Sequence, residues 1–119
     1  MKMRIGELSQ QTGASQRALR YYEEKGLLTS VRTSSGQRHY TDDHVARVKL
    51  IQDFLAAGMS SRVIAEFAPC MSRRDAQWVQ RASEAMSRER DRLSGAIAEL
   101  VKTRAALEDL MAAHHRDLT

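Results

Sequence analysis

The stretch RALRYYEEKGLL, Arg17 to Leu28, sets two arginines, two tyrosines and two glutamates on about three turns of helix before Gly26 stops it. At helical spacing Arg17, Arg20, Tyr21 and Glu24 share one side, so Ala18 and Leu19 must supply the buried side. Tyr22 and Glu23 lie on the next arc. Arg17, Arg20 and Tyr21 are therefore expected to point outward. Upstream, Ile5 and Leu8 stand three apart before the break Thr12-Gly13-Ala14-Ser15. Gly13 can take the left-handed conformation that ends a helix, and Ser15 can cap the next one. The reading is a short helix near Ile5–Gln11, a tight turn, and a second helix near Gln16–Lys25. That is a helix-turn-helix. Gly26 closes it, and Leu27 and Leu28 return the chain to the core.

Beyond this unit the pattern changes to TSVRTSSGQRHY, Thr29 to Tyr40. Val31, Thr33, His39 and Tyr40 suit strands, and Ser34-Ser35-Gly36 supplies a turn. A small β-hairpin with Arg32 and Arg38 on its arms is predicted. Thr41 then caps a helix whose first turn holds Asp42 and Asp43, favoured at the positive end of the helix dipole. Val45, Val48, Ile51 and Leu55 form its core face until Gly58 stops it. Ser60 caps a short helix, Ser61–Ala68, with Val63, Ile64 and Phe67 inward, and Pro69 marks the join to the next segment.

From about Arg74 to His114 there is no proline and one glycine, Gly95. Val79, Met86, Leu93, Leu100, Leu107 and His114 recur at seven-residue steps, interleaved with Ser83, Arg90, Ile97, Arg104 and Met111. One apolar row and one mixed row make a heptad seam. The helix would be roughly 60 Å long. The remaining chain is too short to cover that length, so a partner helix is implied. The predicted class is mainly α, with residues 1–71 forming the N-terminal domain and 72–119 the helix that pairs through Val79, Met86, Leu93, Ile97, Leu100, Leu107 and Met111.

Composition narrows the function. The 119 residues suffice for one small domain and an extension. Residues 1–40 carry seven basic side chains against three acidic ones, and residues 41–119 carry twelve of each, so the whole formal charge of +4 sits in the first third. Such an excess is the electrostatic footprint of a polyanion partner. Arginine can read a guanine edge with two parallel hydrogen bonds or clamp a phosphate, and tyrosine hydroxyls donate to phosphate oxygens. The glutamates are expected to pair with nearby arginines. No Ser/His/Asp set, paired carboxylates or phosphate loop supports catalysis. No apolar run approaches the length of a bilayer span, and no secretory signal is visible. The single cysteine, Cys70, fits a reducing cytoplasm.

The run RIGELSQQTGASQRALRYYEEKGLL, followed by RTSSGQRHYTDDHVARVKLIQDFLAAGMS, resembles the MerR family of bacterial transcription regulators across residues 3–68. R-x-Y-[YE]-E-x-G-L in RYYEEKGL and G-x-R-x-Y in GQRHY carry the likeness. The resemblance implies a winged helix-turn-helix and an antiparallel coiled-coil homodimer. It also implies binding to a near-palindromic promoter with an overlong spacer, whose distortion realigns the promoter elements for RNA polymerase. Arg17, Arg20 and Tyr22 match the family's recognition-helix contacts, and Arg32, Gly36 and Arg38 match its wing. Ser15, Tyr21 and Tyr40 complete the expected DNA-binding set.

Metal-sensing relatives carry a cysteine near the start of the dimer helix and two in a loop after it. Here Val79 stands at the first place, His114 and His115 stand where that loop would begin, and four residues follow. A zinc site wants about four nitrogen or sulfur ligands, so no metal or cofactor is expected. Cys70 reads as a buried hinge residue; a thiol-reactive role would need a base, for which Arg73 and Arg74 are the candidates. A drug-sized effector would bind near Phe67, Met71 and Trp78, although Trp78 also suits hinge packing. Three rivals stay open: a DNA-bending accessory protein of excisionase type without an effector, a coiled-coil protein-interaction module, and an RNA binder.

Overall fold

The computed structural model describes residues 2–68 and 76–118. The elements in chain order are α1 (Ile5–Thr12), α2 (Gln16–Glu24), β1 (Val31–Arg32), β2 (Arg38–His39), α3 (Asp42–Ala56), α4 (Ser61–Phe67) and α5 (Ala76–Leu118). The mainly helical class with one small hairpin follows the sequence expectation. The chain divides into two compact units, Met1–Ala85 and Met86–Thr119.

In the first unit, local hydrogen bonding explains each helix end. Gly13 is left-handed and donates its N–H to Ser9 O at 2.9 Å. The Thr12 hydroxyl donates to Leu8 O at 2.8 Å and accepts from Ala14 N–H at 3.2 Å, so the turn is cross-braced. Ser15 Oγ then accepts from Ala18 N–H at 3.0 Å, the expected cap. Gln52 Nε2 of α3 donates to Thr12 O at 3.2 Å, which fastens the turn to the helix behind it. At the far end of α2, Leu27 N–H reaches Tyr22 O at 2.8 Å and Gly26 N–H reaches Glu23 O at 3.2 Å. This Schellman pairing satisfies two terminal carbonyls and drives Leu27 into the core.

The hairpin pairs Val31 with His39 and Arg32 with Arg38. It is shorter than expected. Thr33 keeps one backbone bond, its N–H donating to Gln37 O at 2.8 Å, but its hydroxyl rather than its carbonyl accepts from Gln37 N–H at 3.2 Å and also bonds Ser35 Oγ at 2.8 Å, closing the loop early. Tyr40 instead bridges Met3, each N–H donating to the other's carbonyl at 2.8 Å. That bridge brings the segment before α1 alongside the hairpin.

Thr41 is the N-cap of α3 as expected, in a capping box with His44. His44 reaches back, its Nδ1 accepting from Thr41 N–H at 3.0 Å, while its Nε2 lies 2.6 Å from Thr29 O. A carbonyl can only accept, so the imidazole carries its proton on Nε2. His44 is buried, and the inward face of α3 runs His44, Val48, Ile51 and Phe54; Val45 and Leu55 are only partly buried. Phe54 meets Phe67 of α4 edge to face at 5.2 Å. Trp78, Ala82 and Ala85, at i, i+4 and i+7 on α5, join this core, which carries the unit to Ala85. The expected boundary at 71/72 lies outside the described residues.

The second unit is helix alone. Leu93, Ile97, Leu107 and Met111 are exposed, and Leu100 keeps 69% of its surface open. Its polar sides carry short-range ion pairs: Arg92 with Glu89, Lys102 with Glu99 at 3.5 Å, and Arg104 with Glu108 at 3.9 Å. No helix among the described residues is long and apolar enough to cross a membrane.

Candidate nucleic-acid interface

Helix α2 divides its side chains as its spacing requires. Leu19 and Tyr22, three apart, go into the core, and Arg17, Arg20 and Tyr21 face solvent. Tyr21 is 42% exposed; its hydroxyl lies 3.1 Å from Ser61 Oγ at the start of α4, and Lys25 Nζ stands 5.7 Å from its ring centre. The aromatic is thus tethered at its tip and keeps an open face beside the arginines.

Two residues expected at the interface belong to the core. Tyr22 is 7% exposed, and burial pushes its phenol pKa upward. Tyr40 is wholly buried and donates its hydroxyl to Glu23 Oε1. Burial first, then the Glu23 carboxylate, push the Tyr40 phenol up to about 12, against a smaller opposing pull from Arg38 and Arg20. Both were expected among the contact residues, and both pack inward as supports. For Tyr22 the three-residue spacing from Leu19 turns it inward.

Glu23 does what was expected of it. Its Oε2 lies 3.2 Å from Arg38 Nη1, so one largely buried carboxylate holds both the phenol of Tyr40 and the guanidinium of Arg38. The recognition-type helix and the hairpin are locked through that group. On the hairpin itself, Arg32 Nη1 donates to Gly36 O at 3.0 Å, which pins the tip at a left-handed glycine. Ser15 stands exposed at the start of α2, with its oxygen committed to the cap.

One residue absent from the expected set joins the others here. Arg4 Nη2 donates to Gln37 Oε1 at 2.6 Å. With Ile5, Arg20, Gln37, Arg38 and Tyr40 it lines a cleft of about 280 Å³. The Met3–Tyr40 bridge brings Arg4 there, a long-range pairing that no local pattern announces.

Of the expected effector set only Phe67 and Trp78 lie among the described residues. Phe67 is fully buried against Phe54, and Trp78 packs on the core; Cys70 and Met71 lie outside the described residues, as do Arg73 and Arg74. A cavity of about 570 Å³ does exist in this unit, but its walls include Leu27, Thr29, Val31, His44, Arg47 and Ala68 rather than Phe67 or Trp78. Among the described residues no three His, Cys, Asp or Glu side chains converge as metal ligands.

Comparison with known proteins places this geometry. A family model described as MerR HTH family regulatory protein matches residues 3–69. The HTH-type transcriptional regulator HmrR of Sinorhizobium medicae is 36% identical over 109 residues, 91% of this chain and 69% of that protein. The HTH-type transcriptional regulator CueR of Yersinia pestis is 37% identical over 59 residues, 49% of this chain but only 42% of its own length. Among solved structures, HiNmlR, a MerR family regulator lacking the sensor domain and bound to promoter DNA, aligns with a TM-score of 0.63 at 28% identity, covering 98% of this chain and 92% of that one.

Proposed function

The chain belongs to the MerR family of helix-turn-helix regulatory proteins, and from that premise we propose that it is a homodimeric, sequence-specific DNA-binding transcription regulator working in the cytoplasm. The observation that carries this reading is the outward row Arg17, Arg20 and Tyr21 on α2, set beside a hairpin bearing Arg32 and Arg38 and bonded to it through Glu23. A helix of this kind enters the major groove while the hairpin follows the flanking backbone. Arg17 is assigned to base edges. Arg20 shares a wall with the hairpin's Arg38 and is assigned to the phosphate backbone, together with Arg32 and Arg38.

The exposed apolar row of α5 supports a second copy as partner, since water-facing Leu100 and Ile97 gain by mutual burial. Two copies of α2 related by a two-fold axis call for a near-palindromic site. Where the spacing of the two helices does not suit straight B-form DNA, the duplex bends or untwists, at a cost of a few kcal/mol offset by the added contacts. Such distortion is how the regulator would act on RNA polymerase at the same promoter. The solved relative bound to promoter DNA supports the DNA assignment. The chain is a binding protein in this reading, not an enzyme.

Electrophoretic mobility shifts against pools of duplex DNA and RNA at several salt concentrations test it. Enrichment of a two-fold-related duplex sequence, with affinity falling steeply as salt rises, is the expected result. Equal affinity for RNA, or no sequence enrichment from the duplex pool, would overturn it.

A further inference from the structure

We propose that the cleft lined by Arg4, Arg20 and Arg38 is a seat for one backbone phosphate of the bound duplex, with Arg4 as its anchor. The inference rests on the DNA-binding reading above and adds to it a residue and a place.

Three segments far apart in the sequence each contribute an arginine to the wall of this cleft: the residue before α1, helix α2 and strand β2. Like charges gathered in one small space repel unless something compensates them. Glu23 offsets one, through its ion pair with Arg38 at 3.2 Å, and it is not part of the cleft wall. Three arginines against one carboxylate leave a net charge of +2 around the cleft. The volume of about 280 Å³ admits a phosphodiester group.

Gln37 gives its Oε1 to Arg4 at 2.6 Å, so the amide is turned with its NH₂ donors available to an incoming oxygen. Tyr40 spends its hydroxyl on Glu23, and its ring contributes an apolar surface. Ile5 is another apolar wall and is also the first residue of α1, which starts here without a side-chain cap. The positive end of a helix favours negative charge beside it. Arginine forks match phosphate oxygens in pairs, so Arg4, fixed in place by Gln37, gives direction as well as charge. The bound phosphate would fix the register of the recognition helix and the hairpin on the duplex together, because the cleft has one wall from each.

The test uses the full chain and the duplex sequence that it enriches from a random pool. Wild type, Arg4→Gln and Gln37→Ala are titrated against a series of duplexes, each with one methylphosphonate linkage per half-site. On unmodified DNA, Arg4→Gln is expected to bind several-fold more weakly and to shallow the slope of log affinity against log salt by about 0.9 per protomer. At one linkage position the neutral methylphosphonate should erase the difference between wild type and Arg4→Gln, the signature of a shared contact. Gln37→Ala, which removes the tie but not the cation, should keep its sensitivity to that linkage. If the ratio of wild type to Arg4→Gln stays constant at every position while wild type still binds duplex, the seat is wrong and the DNA-binding reading stands. If wild type enriches no duplex, both fall.

Discussion

Tyr40 donates its phenol to a carboxylate in a place that water does not reach, and this has a consequence in alkali. Its pKa is raised from 10.0 to about 12 by burial and by Glu23. The folded state therefore favours the protonated phenol. Its contribution to stability is complete below the ordinary value near 10 and is lost as the pH climbs through about 12. Over that window the denaturant midpoint of the wild type should fall more steeply than that of Tyr40→Phe, and parallel curves would refute the assignment. A second residue-level test separates base reading from phosphate contact. Arg17→Ala should cost about 1–3 kcal/mol of discrimination between cognate and random duplex. Arg38→Ala should weaken both alike and flatten the salt dependence. Competition binding at two salt concentrations measures both, and identical profiles for the two variants would refute the division of roles. These side chains were unequally legible. Arg17, Arg20 and Tyr21 could be read outward because Ala18 and Leu19 had to be inward. Tyr22 could have been assigned to the core from its spacing to Leu19. Tyr40 gave no such local sign, since its burial comes from Glu23 on another helix and from the Met3 bridge. Arg4 was hidden for the same reason: its partner Gln37 is 33 residues away.

Helix ends carry most of what the sequence could announce about the elements. Gly13, Ser15, Gly26, Gly58 and Ser60 each end or start a helix where expected, because each acts on backbone groups within a few residues of itself. Thr41 likewise starts α3 where expected; what no local sign announced is His44, which completes the capping box and is anchored to Thr29 O. Two glycines give predictions of opposite sign. Gly26 has φ +77°, and a Cβ there would meet nothing within 4 Å, so the penalty of Gly26→Ala is conformational alone. It should destabilise the first unit by about 1–2 kcal/mol in chemical denaturation, with no change in the denaturant slope. Gly95 sits inside α5, off the heptad rows, and a Cβ there also meets nothing within 4 Å. Gly95→Ala should stabilise that helix by about 1 kcal/mol, read as a later thermal loss of helical circular dichroism. A loss of stability there would mean that something packs on this face of the helix.

The two units differ in what a single chain can satisfy. The first buries Leu8, Leu19, Val48, Ile51, Ile64 and Phe67 completely and needs no other molecule to do so. The second has no interior, and its heptad rows were legible for the reason that leaves them exposed: a seam is a local period whose partner lies elsewhere. The period does not state the direction in which that partner runs, so antiparallel pairing rests on the family resemblance. If a second copy covers the seam, a charge at its middle should separate the copies. Leu100→Glu places a carboxylate where 69% of the leucine surface is open and would be buried on pairing. Sedimentation equilibrium should show dimers for the wild type and a shift to monomer for the variant. Lys102→Glu on the same turn is the control, because Lys102 pairs with Glu99 at 3.5 Å on the outer side, and exposed ion pairs contribute about 0–1 kcal/mol. The first unit should be untouched in Leu100→Glu, so single half-sites should be bound as before. Affinity for the full two-half-site duplex should fall much further, because the second half-site is no longer reached at high effective concentration. A wild-type chain that sediments as a monomer, or a Leu100→Glu chain that retains full affinity for the double site, would remove the pairing of α5 from the account and leave a one-headed DNA-binding unit.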